Sequence, residues 1–221
     1  MPLTVLILGG GSAPGPGVRA ALPAAAVCIA ADSGLDHARA LGLRPDLLIG
    51  DLDSISPEGL AWAETASDRG QLTIERHPAD KDQTDLELAL ARAVELGPER
   101  IVVVGIGGGR FDHLLANMAV LADRRFAGPA IDGLIDEARI AVVHEQRALH
   151  GRVGELVSLL AVNGDADGVT TSGLAWPLRG ETLRASSSRG VSNTFAAPLA
   201  TVRLDRGTLL AIQPGVEPGA V

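Results

Sequence analysis

Apolar residues in the first half of the chain fall in short unbroken runs, each ended by glycine or a carboxylate. Residues 3–8 lead into Gly9-Gly10-Gly11-Ser12, residues 27–31 into Asp32-Ser33-Gly34, and residues 47–49 into Gly50-Asp51. Residues 101–106 have the same character and run into Gly107-Gly108-Gly109-Arg110, while residues 72–75 read as a further strand. Runs of this length without alternation suit strands covered on both faces, as in a parallel sheet. Between them the spacing turns helical. Residues 35–41 stop at Gly42, and residues 57–69 carry Leu60, Trp62 and Ala63. Residues 84–96 place Leu86, Leu90, Ala93 and Val94 on one face before Gly97-Pro98, a pair that ends helices. A further helix carries Leu114, Leu115, Met118 and Leu121.

Strands alternating with helices predict right-handed crossovers and a parallel sheet, whose ligands bind beyond the carboxyl ends of the strands. Asp32, Asp51, Asp53 and Arg110 each follow a predicted strand, which puts them on one rim. Past Ile131 the pattern changes. Residues 138–144, 156–162, 169–172 and 201–212 are short β-prone stretches parted by Gly, Asn and Asp, with no helix among them. The fold class expected is α/β, an N-terminal parallel-sheet domain over residues 1–130 followed by a smaller all-β sandwich domain over 131–221, with the boundary in 125–133.

Composition narrows the partners. Of 221 residues 46% are hydrophobic, yet the aromatics are three Phe, two Trp and no Tyr, so Ala, Val, Leu and Ile must build the core. The net charge is −8 and no block of Lys or Arg stands out, which argues against nucleic acid and leaves room for a nucleotide bound through a metal. Cys28 is the sole cysteine, expected as a buried hydrophobe in a strand and suited to a reducing compartment. The first cation is Arg19, and the longest apolar run, residues 22–31 with Pro23 inside, is too short to span a bilayer. A cytoplasmic protein with no membrane partner is the expectation.

The candidate chemistry lies in residues 49–54 and 81–85. In an extended segment Asp51 and Asp53 point to one side, about 6–7 Å apart at the backbone, where both can reach one hard cation. Mg²⁺ takes oxygen ligands and is commonly held by one or two carboxylates plus substrate phosphates. A polar turn closing a strand would explain one of the two aspartates but not both, since their repulsion costs stability unless a cation relieves it. Thr84-x-x-Glu87 reads as a capping box, so Asp82 and Asp85 stand at a helix N-terminus, where they can face the same cation. Lys81 is either a surface lysine or a phosphate contact. The Gly-rich stretch at 9–17 is a loop that either approaches a phosphate or merely turns. Gly107 to His113 joins a flexible loop, a guanidinium and a helix start, though it matches neither a dinucleotide fingerprint nor a P-loop. Asp112 either caps that helix or meets a ligand. His37, His77, His113, His144 and His150 share no metal-ligand spacing and are expected to be structural.

Taken together, Ala31-Asp32-Ser33-Gly34, residues 45–54, Lys81-Asp82-Gln83-Thr84-Asp85 and Gly108-Gly109-Arg110-Phe111-Asp112-His113 resemble the thiamine pyrophosphokinases. So do Ser172-Gly173-Leu174-Ala175-Trp176-Pro177-Leu178 and Gly190-Val191-Ser192-Asn193 towards the C-terminus. The resemblance covers nearly the whole chain. It implies a homodimer with active sites at the subunit interface, and transfer of the β,γ-pyrophosphoryl group of ATP to the hydroxyl of thiamine, with Mg²⁺ as cofactor. It also implies roles for particular residues. Asp51, Asp53 and Asp82 would ligate Mg²⁺, with Asp32 nearby and Asp85 facing thiamine as the choice for accepting its proton. Arg110 would contact the phosphates, with Thr84, Asp112 and Asn117 as nucleotide contacts. Ser192 and Asn193 would form the thiamine pocket, with Phe195, or else Trp176, offering an aromatic face to the cationic ring. Trp176 reads equally as a core residue. Two departures stand out: Ser33 replaces a glycine usual in the family, and the 9–17 loop is unusual in composition. The rivals are a pyrophosphokinase of this architecture acting on a hydroxymethyl pterin, and a non-catalytic nucleotide-binding homologue.

Overall fold

Five parallel strands take up the predicted strand stretches: β1 (Thr4–Leu8), β2 (Val27–Ala31), β3 (Leu47–Gly50), β4 (Thr73–Arg76) and β5 (Arg100–Val104). The structure, a computed structural model, describes residues 3–15, 17–108 and 110–215. It divides into two units, one of the described residues up to Asn117 with Gly128–Asp136, the other of Met118–Ala127 with the described residues from Glu137 on. Among the described residues no helix is long and apolar enough to cross a membrane.

In the first unit a sixth strand, β6 (Ala130–Ile135), pairs parallel with β5, and the order is β6-β5-β1-β2-β3-β4. Val5, Ile7, Leu8, Ile29, Leu48, Ile49, Ile101 and Val103 are sealed from solvent, which is why their runs show no alternation. One buried cluster joins Leu6, Leu8, Cys28, Val102 and Val104; another joins Ala30, Leu35, Leu48, Ile55 and Ala63. The connecting helices are α1 (Val18–Ala21), α2 (Gly34–Ala40), α3 (Pro57–Asp68) and α4 (Asp85–Glu95). α3 begins at Ser56, whose hydroxyl accepts from the Gly59 N–H at 3.0 Å, with Pro57 already set for a first turn. Thr84 caps α4 in the same way, accepting from the Glu87 N–H at 3.3 Å, as the capping-box spacing predicts. A cap of this kind is worth about 1 kcal/mol. α4 buries Leu86, Ala89, Leu90 and Ala93. The last helix, α5 (Phe111–Leu121), is the exception to burial, since Leu121 alone of its residues is buried.

The strand order reverses beside β1: the chain moves from β1 out to β4, then returns to place β5 on β1's other side. That reversal opens a crevice at the carboxyl ends of β1 and β5, the usual ligand position in such sheets.

The second unit is antiparallel. β12 (Asn193–Thr194), β9 (Leu156–Ala161), β14 (Leu209–Gln213) and β7 (Ala138–Val143) are neighbours in that order. So are β11 (Arg179–Leu183), β10 (Ala166–Ser172), β13 (Leu199–Arg203) and β8 (Gln146–His150). Burial alternates along β9 and β13, the period-two signature of sheets with one inner face. Val143, Val157 and Leu159 meet Leu149, Val169, Ala200 and Phe195 in a common core.

Candidate active site

The loops after β1 and β5 are laced together by their backbones. The Gly9 N–H donates to the Val104 carbonyl at 2.8 Å, Gly11 N–H to Gly105 O at 2.7 Å, and Ser12 N–H to Gly107 O at 2.7 Å. A side chain at Gly11 would collide with the Gly107 carbonyl, so a close approach of two backbones accounts for this glycine. Gly9 to Ser12 and Gly105 also line a cleft of about 740 Å³, so the loop both turns tightly and faces the site.

The floor of that cleft is acidic. Ligand oxygens of Asp32, Asp51 and Asp85 all lie within 4.8 Å of one another. Three elements supply them: the end of β2, the end of β3 and the first residue of α4. Asp32 takes a left-handed backbone conformation, φ 47°, uncommon outside glycine although aspartate tolerates it. Its N–H is tied to the Ile49 carbonyl at 2.9 Å. Gly50, at φ +144°, is bare where a Cβ would stand 3.0 Å from Asp85 Oδ1 and 3.2 Å from Asp32 Cβ, so its missing side chain lets the two carboxylates close.

Charge in the trio is unevenly compensated. Asp32 is 7% exposed and its Oδ1 has no hydrogen-bond partner among the described residues. Burial pushes its carboxyl above the ordinary range; bonds from the Ser33 backbone and Ser54 oppose that, and the charges of Asp85 and Asp51 add to it. Asp51 goes the other way. Burial alone would raise it, but the Asp53 N–H and Lys81 outweigh burial and hold it below the ordinary value. Lys81 Nζ lies 3.4 Å from Asp51 Oδ2 and 3.1 Å from Asp85 Oδ1. Burial works against its charge, and the two aspartates more than offset this. A buried, unpartnered carboxylate oxygen beside two further carboxylates fits a hard divalent cation, which takes oxygen ligands and relieves like-charge repulsion.

The other candidates are placed as follows. Asp53 is exposed on the wall of the same cleft, accepting from Ser54 Oγ at 2.8 Å. Asp82 is exposed and lies outside the described cleft lining. Thr84, Arg110 and Asn117 line the cleft, and Asn117 Nδ2 braces it by donating to the Ile106 carbonyl at 3.0 Å. Asp112 holds Arg110 through a 2.6 Å ion pair; that hydrogen bond, ahead of a weaker opposing effect of desolvation, brings the Asp112 carboxyl down to about 2. His113, expected to be structural, is exposed and lines the cleft, three residues beyond Arg110 and so on its helical face. The Asp32 carboxylate oxygen and the cationic bridge of Lys81 are the features that spacing alone does not disclose.

Four candidates belong to the second unit. Ser192 is exposed in a left-handed conformation, φ 61°, with its N–H on Ser158 Oγ at 3.1 Å. Asn193 is buried and Phe195 is 1% exposed, packed in the core, so no ring face of Phe195 is open to a ligand in this chain. Trp176, by contrast, is 63% exposed rather than a core residue.

Comparison with known proteins adds a family. Residues 18–131 match the family described as thiamin pyrophosphokinase, catalytic domain, and residues 139–209 match thiamin pyrophosphokinase, vitamin B1 binding domain. The chain is 26% identical over 196 residues to a thiamine pyrophosphokinase of Bacillus subtilis (strain 168), covering 84% of this chain and 86% of that protein. It is 29% identical over 177 residues to thiamine pyrophosphokinase 2 of Oryza sativa subsp. japonica, covering 76% of this chain and 65% of the rice protein. Among solved structures, the Bacillus subtilis thiamine pyrophosphokinase superposes with a TM-score of 0.81 over 95% of this chain and 98% of its own, at 26% identity. The thiamin pyrophosphokinase of Geobacillus thermodenitrificans gives 0.79 at 25% identity, covering 99% of this chain and all of its own.

Proposed function

The chain belongs to the thiamin pyrophosphokinase family, and we propose that it moves the β,γ-pyrophosphoryl group of ATP to the hydroxyl of thiamine, releasing AMP. The observation that carries this is the Asp32, Asp51 and Asp85 trio, with its unpartnered Asp32 oxygen, in the cleft that the loops after β1 and β5 also line.

In that reaction the thiamine oxygen bonds to the β-phosphorus, the bond from that phosphorus to the α,β-bridging oxygen breaks, and the oxygen leaves with AMP. The hydroxyl proton passes to a carboxylate of the site, for which Asp85, by the oxygen it does not offer to the metal, is our choice. Mg²⁺ held by Asp51 with Asp32 and Asp85 would neutralise polyphosphate charge. Asp53, on the wall, and Asp82, exposed beyond it, are the further carboxylates that the resemblance assigns to the metal. Arg110, steadied by Asp112, is set to meet phosphate oxygens as a charged fork. The N-terminus of α4 adds favourable potential for an anion. Such a site works by positioning and by fixed charges aimed at the reacting group. Trp176, with the neighbouring Ser192 and Asn193 segment, is our proposed thiamine platform, because an indole face suits a cationic ring.

We further propose a cytoplasmic homodimer with active sites at the subunit interface. The support is α5, where Phe111 is 70% and Leu115 56% exposed one helical turn apart. Replacing both by Glu is expected to yield monomers by sedimentation equilibrium, and an unchanged mass would remove this support. The lone thiol, Cys28, is buried and pushed up to about 12 by burial first and Asp46 second, an unreactive state in keeping with a reducing compartment.

The test of the reaction is to incubate the protein with ATP, Mg²⁺ and thiamine and follow the products by ³¹P NMR. AMP and thiamine diphosphate are expected in equal amounts. ADP in their place would mean single phosphoryl transfer, and turnover of a hydroxymethyl pterin but not of thiamine would reassign the acceptor.

A further inference from the structure

The position between Asp51 and Asp85 is taken by an ammonium group. Lys81 Nζ is 3.4 Å from one carboxylate and 3.1 Å from the other, and its side chain is only 10% exposed. Those two carboxylates and Asp32 form the oxygen cluster that fits a divalent cation. Lys81 therefore pairs by charge with two of the three groups and, among the described residues, neither Asp85 Oδ1 nor Asp32 Oδ1 accepts a hydrogen bond. The lysine is carried on the irregular segment between β4 and α4, on a four-carbon stem that can swing without disturbing the sheet.

We propose that Lys81 is a displaceable internal counter-ion. Without metal it holds Asp51 and Asp85 together against their mutual repulsion. When a metal-bound triphosphate enters, the ammonium transfers from carboxylate to phosphate oxygen, another acceptor that matches a point charge. Two consequences follow from the charges. The lysine lowers affinity for the metal alone, because a dication and an ammonium compete for the same oxygens. It raises affinity for the metal–nucleotide complex, because the triphosphate gives the displaced charge a new partner. Metal and nucleotide then arrive as a unit, and the nucleotide-free enzyme binds little metal. This rests on the proposed function, since it takes the trio as the metal site.

The experiment titrates Mn²⁺ calorimetrically into the wild type, Lys81→Met, Lys81→Gln and Asp51→Asn proteins, with and without ATP and always without thiamine. Lys81→Met and Lys81→Gln are expected to bind Mn²⁺ alone at least tenfold tighter than wild type, since removing one unit charge a few ångströms from a dication is worth roughly that much even with the full screening of water. With ATP present the order is expected to reverse, and Asp51→Asn is expected to lose binding in both conditions. Equal or weaker Mn²⁺ binding by both lysine variants, with wild-type binding intact and dependent on Asp51, would overturn the counter-ion role alone. No Mn²⁺ binding by any of the proteins, with or without ATP, would overturn both the counter-ion role and the assignment of the trio as a metal site. The glutamine variant keeps a polar group at the position, so agreement between it and the methionine variant separates lost charge from lost packing.

Discussion

Asn193 holds Trp176 by both of that residue's main-chain polar groups: Oδ1 accepts the Trp176 N–H at 3.1 Å, and Nδ2 donates to the Trp176 carbonyl at 2.8 Å. Oδ1 also takes the Thr194 N–H at 2.8 Å. The Asn193 amide is thus committed inside the protein, while the indole it anchors stands exposed. Asn193 fixes the chain that carries the exposed ring, so on a ligand at that face it would act only through Trp176.

Asn193→Ala is expected to cost about 1–3 kcal/mol, since it strands three part-buried backbone groups. Asn193→Asp should behave similarly, because a carboxylate cannot donate to the Trp176 carbonyl. If Trp176 is the thiamine platform, both variants raise KM for thiamine more than they lower kcat. Quenching of Trp176 emission by acrylamide, measured in a Trp62→Phe background, should increase in both. Unchanged quenching with unchanged KM would separate Asn193 from the ring.

Asp32 combines burial, an unpartnered oxygen and two like charges nearby, so the metal-free protein carries it at a cost. Asn tolerates the same left-handed backbone. Asp32→Asn is therefore expected to raise metal-free stability by about 1 kcal/mol, the size of gain found on relieving a functional site. Turnover should fall by more than the roughly 10–100-fold cost of losing a group that merely orients a ligand. Thermal unfolding and the AMP assay read the two effects. A destabilised variant would mean that the bonds from the Ser33 backbone and Ser54 outweigh burial and the neighbouring charges.

His144 provides a pH dependence in the second unit. Its Nδ1 lies 3.2 Å from Thr208 Oγ1, and its Nε2 is buried without a hydrogen-bond partner among the described residues. Burial first, and Arg124 second, hold its pKa below the ordinary 6.5, against the opposing charges of Asp123 and Glu145. Between the folded and unfolded values the unfolded chain binds a proton that the folded one refuses, so stability rises with pH across that window. Acidification from about pH 8 to below the ordinary histidine value should lower Tm, and His144→Phe should reduce that slope. An unaltered slope in the variant would assign the pH dependence elsewhere.

Much of the first unit is legible because strands buried on both faces must be continuous apolar runs. α1 is not, being a single turn after a Gly/Pro-rich stretch. β6 is hidden by Asp132 and Gly133 in its middle; in the fold Asp132 is satisfied by Arg100 Nε at 2.7 Å on the neighbouring strand. The expected 201–212 stretch is two strands, β13 and β14, parted by a turn with Gly207 at φ +95°. At the site, reading Asp51 and Asp53 as a same-side pair assumes an extended backbone. Leu52 at φ 67° breaks that geometry, leaving Asp53 on the exposed wall while Asp32 and Asp85 take the space beside Asp51. A pairing made by three separate elements leaves no local spacing to read. Phe195 and Trp176 differ for a related reason: aromatic type does not disclose which ring a sandwich core will enclose.

In the proposed reaction, carboxylates from the ends of β2 and β3 and the start of α4 meet on one divalent ion. Anomalous diffraction from crystals grown with Mn²⁺ and ATP in the absence of thiamine addresses it directly. The account requires a manganese peak bonded to oxygens of Asp51 and at least one of Asp32 and Asp85, with the triphosphate on the same ion. A peak bonded to Asp53 and Asp82 alone, or nucleotide bound with no metal near Asp51, would contradict it.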